Sequence, residues 1–289
     1  MTLRTMILAG GLLLAVGASA LVPIAEGSES GSPSPRGTNF FSDCRFSHSA
    51  PDDPIVRPSL PGGSHPHEFF GNTSTDARSS LQSLLAHGTT CMRKADTAAY
   101  WVPALYRNGH VVKPLEALVY YRIRSIDRVH PFPPGLKIVA GSAVANAPQP
   151  TRIVFWNCAY PTGPFEPSAS IPECSRRRAG MVRRRSTGYL RLNVNFPDCW
   201  DGKRLDSPDH HSHMSYSSGL PCPASHPVKV PSLRLTVAYP IRGGARLGLA
   251  SGGIYSGHAD FFNAWKQGEL KRLVEACAAE KRRCSRSAG

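Results

Sequence analysis

Eight cysteines, Cys44, Cys91, Cys158, Cys174, Cys199, Cys222, Cys277 and Cys284, are scattered along the chain with no C-x-x-C pair among them. An even number at wide spacing points to disulfides rather than to zinc or a redox dithiol, and so to an oxidising compartment. Spacing does not choose a connectivity; sequential pairing, Cys44–Cys91, Cys158–Cys174, Cys199–Cys222 and Cys277–Cys284, is the working expectation. The N-terminus agrees with export. Arg4 precedes an apolar run from Met6 to Gly17 that closes in Ala18-Ser19-Ala20, the parts of a secretory signal peptide cleaved after Ala20. That run is short for a membrane span, and no later segment approaches the needed length. The expected location is therefore extracellular or periplasmic, with no transmembrane segment after the signal peptide.

Residues 21–38 are rich in Ser, Gly, Pro and Glu without periodicity and read as a flexible linker. A single domain is expected over 39–279, with a basic tail at 280–289. Within it Pro and Gly, 26 of each in the chain, interrupt the sequence too often for long helices. Short runs rich in Val, Ile, Tyr and Phe lie between the breaks and read as strands: Ala99–Tyr106, Leu115–Arg124, Leu136–Ala140, Arg152–Trp156, Tyr189–Phe196 and Leu233–Tyr239. Leu190, Leu192, Val194 and Phe196 alternate with polar residues, the clearest pattern of a strand with one buried face. Helices are expected at Ser74–His87, capped by Ser74 or Thr75, and from Ala259 to Cys277, where Phe261, Phe262, Trp265, Leu270, Leu273, Val274 and Cys277 recur mostly at threes and fours. The expected fold is mainly β, a β-sandwich or jelly-roll-like domain with a few helices including a C-terminal one, stabilised by disulfides.

The formal net charge is +14. Its dense parts are Arg176-Arg177-Arg178 with Arg183-Arg184-Arg185, and Lys281-Arg282-Arg283 with Arg286. Aromatic residues do not interleave them and no nucleic-acid motif is present, so nucleic acid is not an expected partner. For an exported chain such charge suits acidic polymers or anionic surfaces, or is a solvated surface.

Chemistry concentrates in four places. The eighteen residues Cys199–Tyr216 hold three Asp and three His among turn formers, which reads as a pinned loop. In a helical turn Asp206, Asp209 and His213 would share a face, and a carboxylate beside an imidazole orients and strengthens it as base or ligand. Ser64–Asn72 contains His65-Pro66-His67, an H-x-H pair whose rings point the same way on an extended backbone. Ser225-His226-Pro227 holds a lone histidine in a turn, which is more often structural. In Tyr255–Trp265, His258 would sit at the N-terminus of the last helix, where the dipole favours a neutral ring, with Ser256 or Asp260 as cap. The signatures of serine hydrolases, H-E-x-x-H metalloproteases, P-loops and dinucleotide folds are absent. The expected acid–base residues are Asp209, Asp206, His213 and His258. Tyr100, Trp101, Trp200 and Lys203 are the expected substrate contacts, and His65, His67, Asp209 and His213 would hold a divalent metal.

Phe46–Val56, Ser64–Asn72, Ala98–Tyr106, the Cys199–Tyr216 loop and Tyr255–Trp265 together resemble a secreted family of unknown function found in bacteria and fungi. Fungal members of that family often carry a WSC carbohydrate-binding domain. The resemblance runs from about residue 40 to 277; this chain has no WSC module and adds the Arg-rich insert at 176–185. It names no reaction. The WSC association implies a role on extracellular or cell-wall polysaccharide, as a glycan-cleaving enzyme, a non-catalytic binding protein, or a metal-binding variant of either.

Overall fold

The computed structural model describes residues 40–123, 128–159, 166–174, 188–217 and 221–280. The expected signal peptide, linker, Arg-rich insert, basic tail and Cys284 lie outside them. Strands are β1 (Phe40–Ala50), β2 (His67–Gly71), β3 (Ala99–Pro103), β4 (Leu105–Arg107), β5 (His110–Val111), β6 (Glu116–Arg122), β7 (Lys137–Gly141) and β8 (Val154–Cys158). They continue with β9 (Leu190–Asn195), β10 (Cys199–Trp200), β11 (Met214–Ser215), β12 (Val228–Lys229), β13 (Ser232–Tyr239), β14 (Leu247–Leu249) and β15 (His258–Phe262). The helices are α1 (Leu81–Ala86) and α2 (Gln267–Glu280).

Nine strands join in the order β7-β15-β3-β2-β1-β6-β13-β9-β8, every pair antiparallel. The long β1 belongs to two layers. Phe40–Arg45 pair with β6, whereas the residues from Phe46 to Ala50 pair with β2, and the register shifts between Phe46 and His48. Such a shift bends the strand, and the two halves of the sheet close face to face. Ala117, Val119, Tyr121, Leu190, Leu192, Val194, Leu233, Leu235 and Val237 of one layer share a core with Phe70, Tyr100, Val102, Ile138, Ala140, Ala259 and Phe261 of the other. This is the expected sandwich. Leu270, Leu273, Val274 and Cys277 dock α2 on the same core.

The layer β1-β2-β3-β15-β7 is covered on its outer side too. Phe69, Ala99, Trp101, Val139 and Phe262 pack there against Ile55 and Leu84, under the 51–66 segment and α1. Strands β2, β3 and β15 are consequently buried at every position. Burial on both faces removes the period-two alternation of a surface strand. That corrects the C-terminal expectation: His258–Phe262 is an interior strand, and the helix begins only at Gln267. The other helix is shorter than its pattern suggested, because Asn72, Ser79 and Asp76 capture the Ser74, Asp76 and Arg78 backbone N–H groups in turns. Ser80 is its cap, in a reciprocal capping box with Ser83.

Three disulfides, Cys44–Cys91, Cys158–Cys174 and Cys199–Cys222, are those expected from sequential pairing. Cys277 is also disulfide-bonded. Where the layers meet, the Tyr100 and Tyr121 hydroxyls lie 2.6 Å apart, Tyr100 donates to Asp96 at 2.9 Å, and the Trp265 indole donates to Tyr121 at 2.9 Å. Full burial pushes the Asp96 carboxyl from its ordinary 3.8 up to about 7, against the hydrogen bonds from Ser42, Tyr100 and Ala98. Folding therefore raises this pKa, so the native state keeps a proton the unfolded chain has released. The stability this supplies is complete below the unfolded value and is lost as pH rises through the folded one. Asp96→Asn should remove that slope. The wild-type minus variant difference in unfolding free energy, measured by chemical denaturation, is expected to fall by on the order of 4 kcal/mol between pH 4 and pH 7.5.

Candidate metal centre

His67 opens β2 and His65 precedes it by two residues, which puts both on the outer side of the doubly covered layer. His67 pairs with Pro103 of β3. On the far side of β3 the register Asp260↔Trp101, continued by two residues, sets His258 against the same proline. The two imidazoles thus flank Pro103 across three strands. Gly141, at a φ of +81°, lets β7 close on this spot: a Cβ there would come within 2.5 Å of the Gly257 carbonyl oxygen. Asp52 holds the covering segment, accepting from the N–H groups of Gly62 at 2.8 Å and Ala77 at 3.2 Å.

The three rings converge on their Nε2 atoms. His65 Nε2 lies 3.2 Å, and His67 Nε2 3.5 Å, from His258 Nε2. His67 Nδ1 is 2.9 Å from the Asp52 carbonyl oxygen, and His258 Nδ1 is 2.9 Å from that of Ser256. A carbonyl only accepts, so in both rings Nδ1 carries the proton and a neutral Nε2 presents its lone pair. Neutrality is enforced by burial first. His258 is pushed down to about 4, and His67 well below the ordinary range, with the neighbouring imidazoles adding to the shift. The helix dipole invoked for His258 is not the cause, since His258 lies on a strand. Two lone pairs therefore face each other without a hydrogen between them, while half-buried His65 forms the outer edge of the cluster.

Two carboxyls stand beside His67. Asp53 accepts from the Ile55 and Val56 N–H groups at 2.8 and 2.9 Å. Asp260 is fully buried, and neither of its oxygens has a hydrogen-bond partner. Burial, then the Asp53 charge, raises the Asp260 carboxyl well above the usual range. Ligand atoms of His65, His67 and His258 all lie within 4.8 Å of one another, as do those of Asp53, His67 and Asp260.

The Cys199–Tyr216 loop is elsewhere. Leu205 accepts from Lys137 N at 2.9 Å, and His213 Nε2 donates to the Lys137 carbonyl at 2.7 Å, so the loop straps the N-terminal end of edge strand β7. Gly141, which pairs with His258, is at the other end. His213 Nδ1 meets Ser207 Oγ at 2.8 Å, which commits both ring nitrogens. Asp209 accepts from Ser207 Oγ and from the His211 and Ser212 N–H groups, and these bonds, Ser212 foremost, hold its carboxyl far below the usual range. Asp206 lies 2.9 Å from His210 Nδ1 and 3.8 Å from Lys137 Nζ. The expected ligand set His65, His67, Asp209 and His213 is thus not assembled: His258 takes the place of the last two. The shared helical face of Asp206, Asp209 and His213 is replaced by a chain of turns that pass through Ser207.

Tyr100 and Trp101, expected to contact substrate, are fully buried in the core. Trp200 donates its indole N–H to the Arg204 carbonyl at 2.6 Å, and Lys203 is exposed. His226 reaches the Ser212 carbonyl at 3.1 Å, the structural role expected of a lone turn histidine. Between the loop and β7 runs a cleft of 280 Å³, bordered by Gly141, Ser142, Gln149, His211, Met214 and Tyr216. Sequence reasoning missed Asp53 and Asp260. The signal for Asp260 was present in His258-Ala259-Asp260, whose spacing repeats His65-Pro66-His67, but a helix reading separates those side chains.

Fold and site together define a disulfide-stapled β-sandwich carrying a buried cluster of imidazoles and carboxyls. Residues 53–265 match the model of a domain of unknown function, DUF1996, and the chain belongs to that family. No curated protein and no solved structure matches it. Among the described residues no helix is long and apolar enough to cross a membrane.

A structural role for His213 has a measurable consequence. His213→Ala leaves the Lys137 carbonyl and Ser207 without their buried partner, and should cost about 2–4 kcal/mol in chemical denaturation. Cation binding at the His65–His67–His258 cluster, followed by calorimetry, should stay within about twofold of wild type, because loop and cluster share no ligand.

Proposed function

We propose that this is an exported metal-binding protein whose His65, His67 and His258 centre serves a reaction on, or recognition of, extracellular or cell-wall polysaccharide. The convergence of three Nε2 atoms carries the reading. Metal-bound histidines characteristically donate their other ring N–H to a carbonyl or carboxylate, as His67 and His258 do. Bonds of 2.0–2.1 Å in tetrahedral geometry imply ligand atoms about 3.3 Å apart, and the separations here are 3.2 and 3.5 Å. Three nitrogen ligands leave room for an exogenous oxygen, and a cation so held polarises that oxygen or lowers the pKa of water. The disulfides support an oxidising compartment. The net charge of +14 supports acidic polymers as partners.

Carboxylate acid–base chemistry at Asp206 and Asp209 has weaker support. Asp209 Oδ1 accepts from two backbone N–H groups, and these bonds hold the carboxyl far below the usual range, which suits a turn better than a general acid.

Oxidised, tag-free mature protein should contain or take up close to one equivalent of a transition-metal dication by elemental analysis, and His258→Ala should lose it. Equal uptake by both proteins, or by neither across Zn²⁺, Mn²⁺, Fe²⁺ and Cu²⁺, sinks the metal reading. Incubation with acidic wall polysaccharides, with and without chelator, then tests the partner: chelator-sensitive product release or retention supports it. Indifference to the polymer under both conditions removes it.

A further inference from the structure

We infer that Asp260 is a fourth protein ligand of this centre, giving a three-imidazole, one-carboxylate set that selects a divalent cation of borderline hardness. The inference rests on the histidine reading and adds to it a ligand and a class of metal.

Position comes first. Asp260 follows His258 by two residues on β15, so both side chains leave the same face of the strand. The H-x-D of β15 thereby mirrors the H-x-H that leads into β2, across the intervening β3. Ligand reach comes second. Asp260 and His67 belong to one group of ligand atoms within 4.8 Å, and His67, His65 and His258 to another, so the two groups meet at His67. Ligation of one cation by all four requires the Asp260 carboxyl to turn toward the imidazoles, since no group holds it together with His65 or His258.

The third observation separates Asp260 from Asp53. Asp53 engages one oxygen, Oδ1, with two backbone N–H groups. Asp260 is fully buried with two bare oxygens. A buried carboxylate lacking any donor is strongly disfavoured, and a coordinated cation removes the penalty directly. Asp53 then acts as a neighbour that adds negative charge without ligating.

Ligand chemistry sets the metal. Three imidazoles with a carboxylate oxygen suit Zn²⁺, Fe²⁺ or Mn²⁺ and give no advantage to soft Cu⁺, which prefers thiolate and thioether. His67, His258 and Asp260 are closed off from solvent, whereas His65 is half-buried. An exogenous ligand therefore reaches the cation from the His65 side, as a fifth ligand in an expanded coordination shell.

Calorimetric titration with Zn²⁺ of wild type, Asp260→Asn, Asp53→Asn and His258→Ala tests this. Asp260→Asn should weaken binding by more than about 100-fold, Asp53→Asn by only the 10–100-fold typical of an outer neighbour, and His258→Ala should abolish it. Wild-type affinity in Asp260→Asn alongside loss in His258→Ala overturns the inference and leaves the histidine centre standing. Unchanged affinity in both overturns the two together. Should Asp260→Asn fail to fold by circular dichroism, Cu²⁺-loaded wild type made with ¹³C-carboxyl aspartate decides. A ¹³C hyperfine coupling in pulsed EPR is expected, and its absence overturns the assignment.

Discussion

Burial of the β1-β2-β3-β15-β7 layer on both faces is the constraint from which the rest follows. One face closes on the opposite layer through Phe70, Tyr100, Val102 and Phe261; the other lies beneath Ile55 and Leu84. A layer in that position must fill its side-chain rows with apolar groups or bring partners for the polar ones. Most rows obey. Glu68 Oε1 and Trp101 Nε1 are exceptions, and the densest exception is the short stretch where His67, His258 and Asp260 stand buried with their lone pairs unanswered. Polar groups retained at such cost mark function more sharply than the same residues would on a loop.

The same constraint decides what the sequence disclosed. Sandwich strands with one polar face, such as Leu190–Asn195, announced themselves by alternation, and all six runs read as strands hold strands at or within a few residues of the expected ends. β2 and β15 did not announce themselves, since continuous burial erases the two-residue period. In Phe261, Phe262 and Trp265 it imitates the three-to-four spacing of a helix. The site was half legible for that reason. His65 and His67 declared themselves through H-x-H, and His258 was singled out alone. Joining them to His258 requires knowing that β3 lies between β2 and β15, a pairing some 190 residues apart in sequence that no local pattern encodes.

The richest polar stretch of the chain had the opposite fate. Asp206, Asp209 and His213 look like chemistry in sequence and act as joinery in the fold. Their donors and acceptors satisfy one another and the exposed backbone of Lys137, an edge that would otherwise be free to pair with another chain. Density of ionisable residues therefore marked a loop that needed fastening. The better indicator of a site is a polar atom left without a partner, and that is visible only once the strands are assembled.

β1 gives the molecule a mechanical character of its own. Because a single strand is hydrogen-bonded into both layers, and Cys44 within it is tied to Cys91, the sandwich has no seam along which to part. The histidine cluster lies beneath the covering segment, the stretch from Pro51 to Pro66, which the Asp52 carboxylate ties to itself at Gly62 and to the loop before α1 at Ala77. The sandwich and the sixteen residues laid over it, pinned by buried Ile55, thus enclose the cluster between two faces.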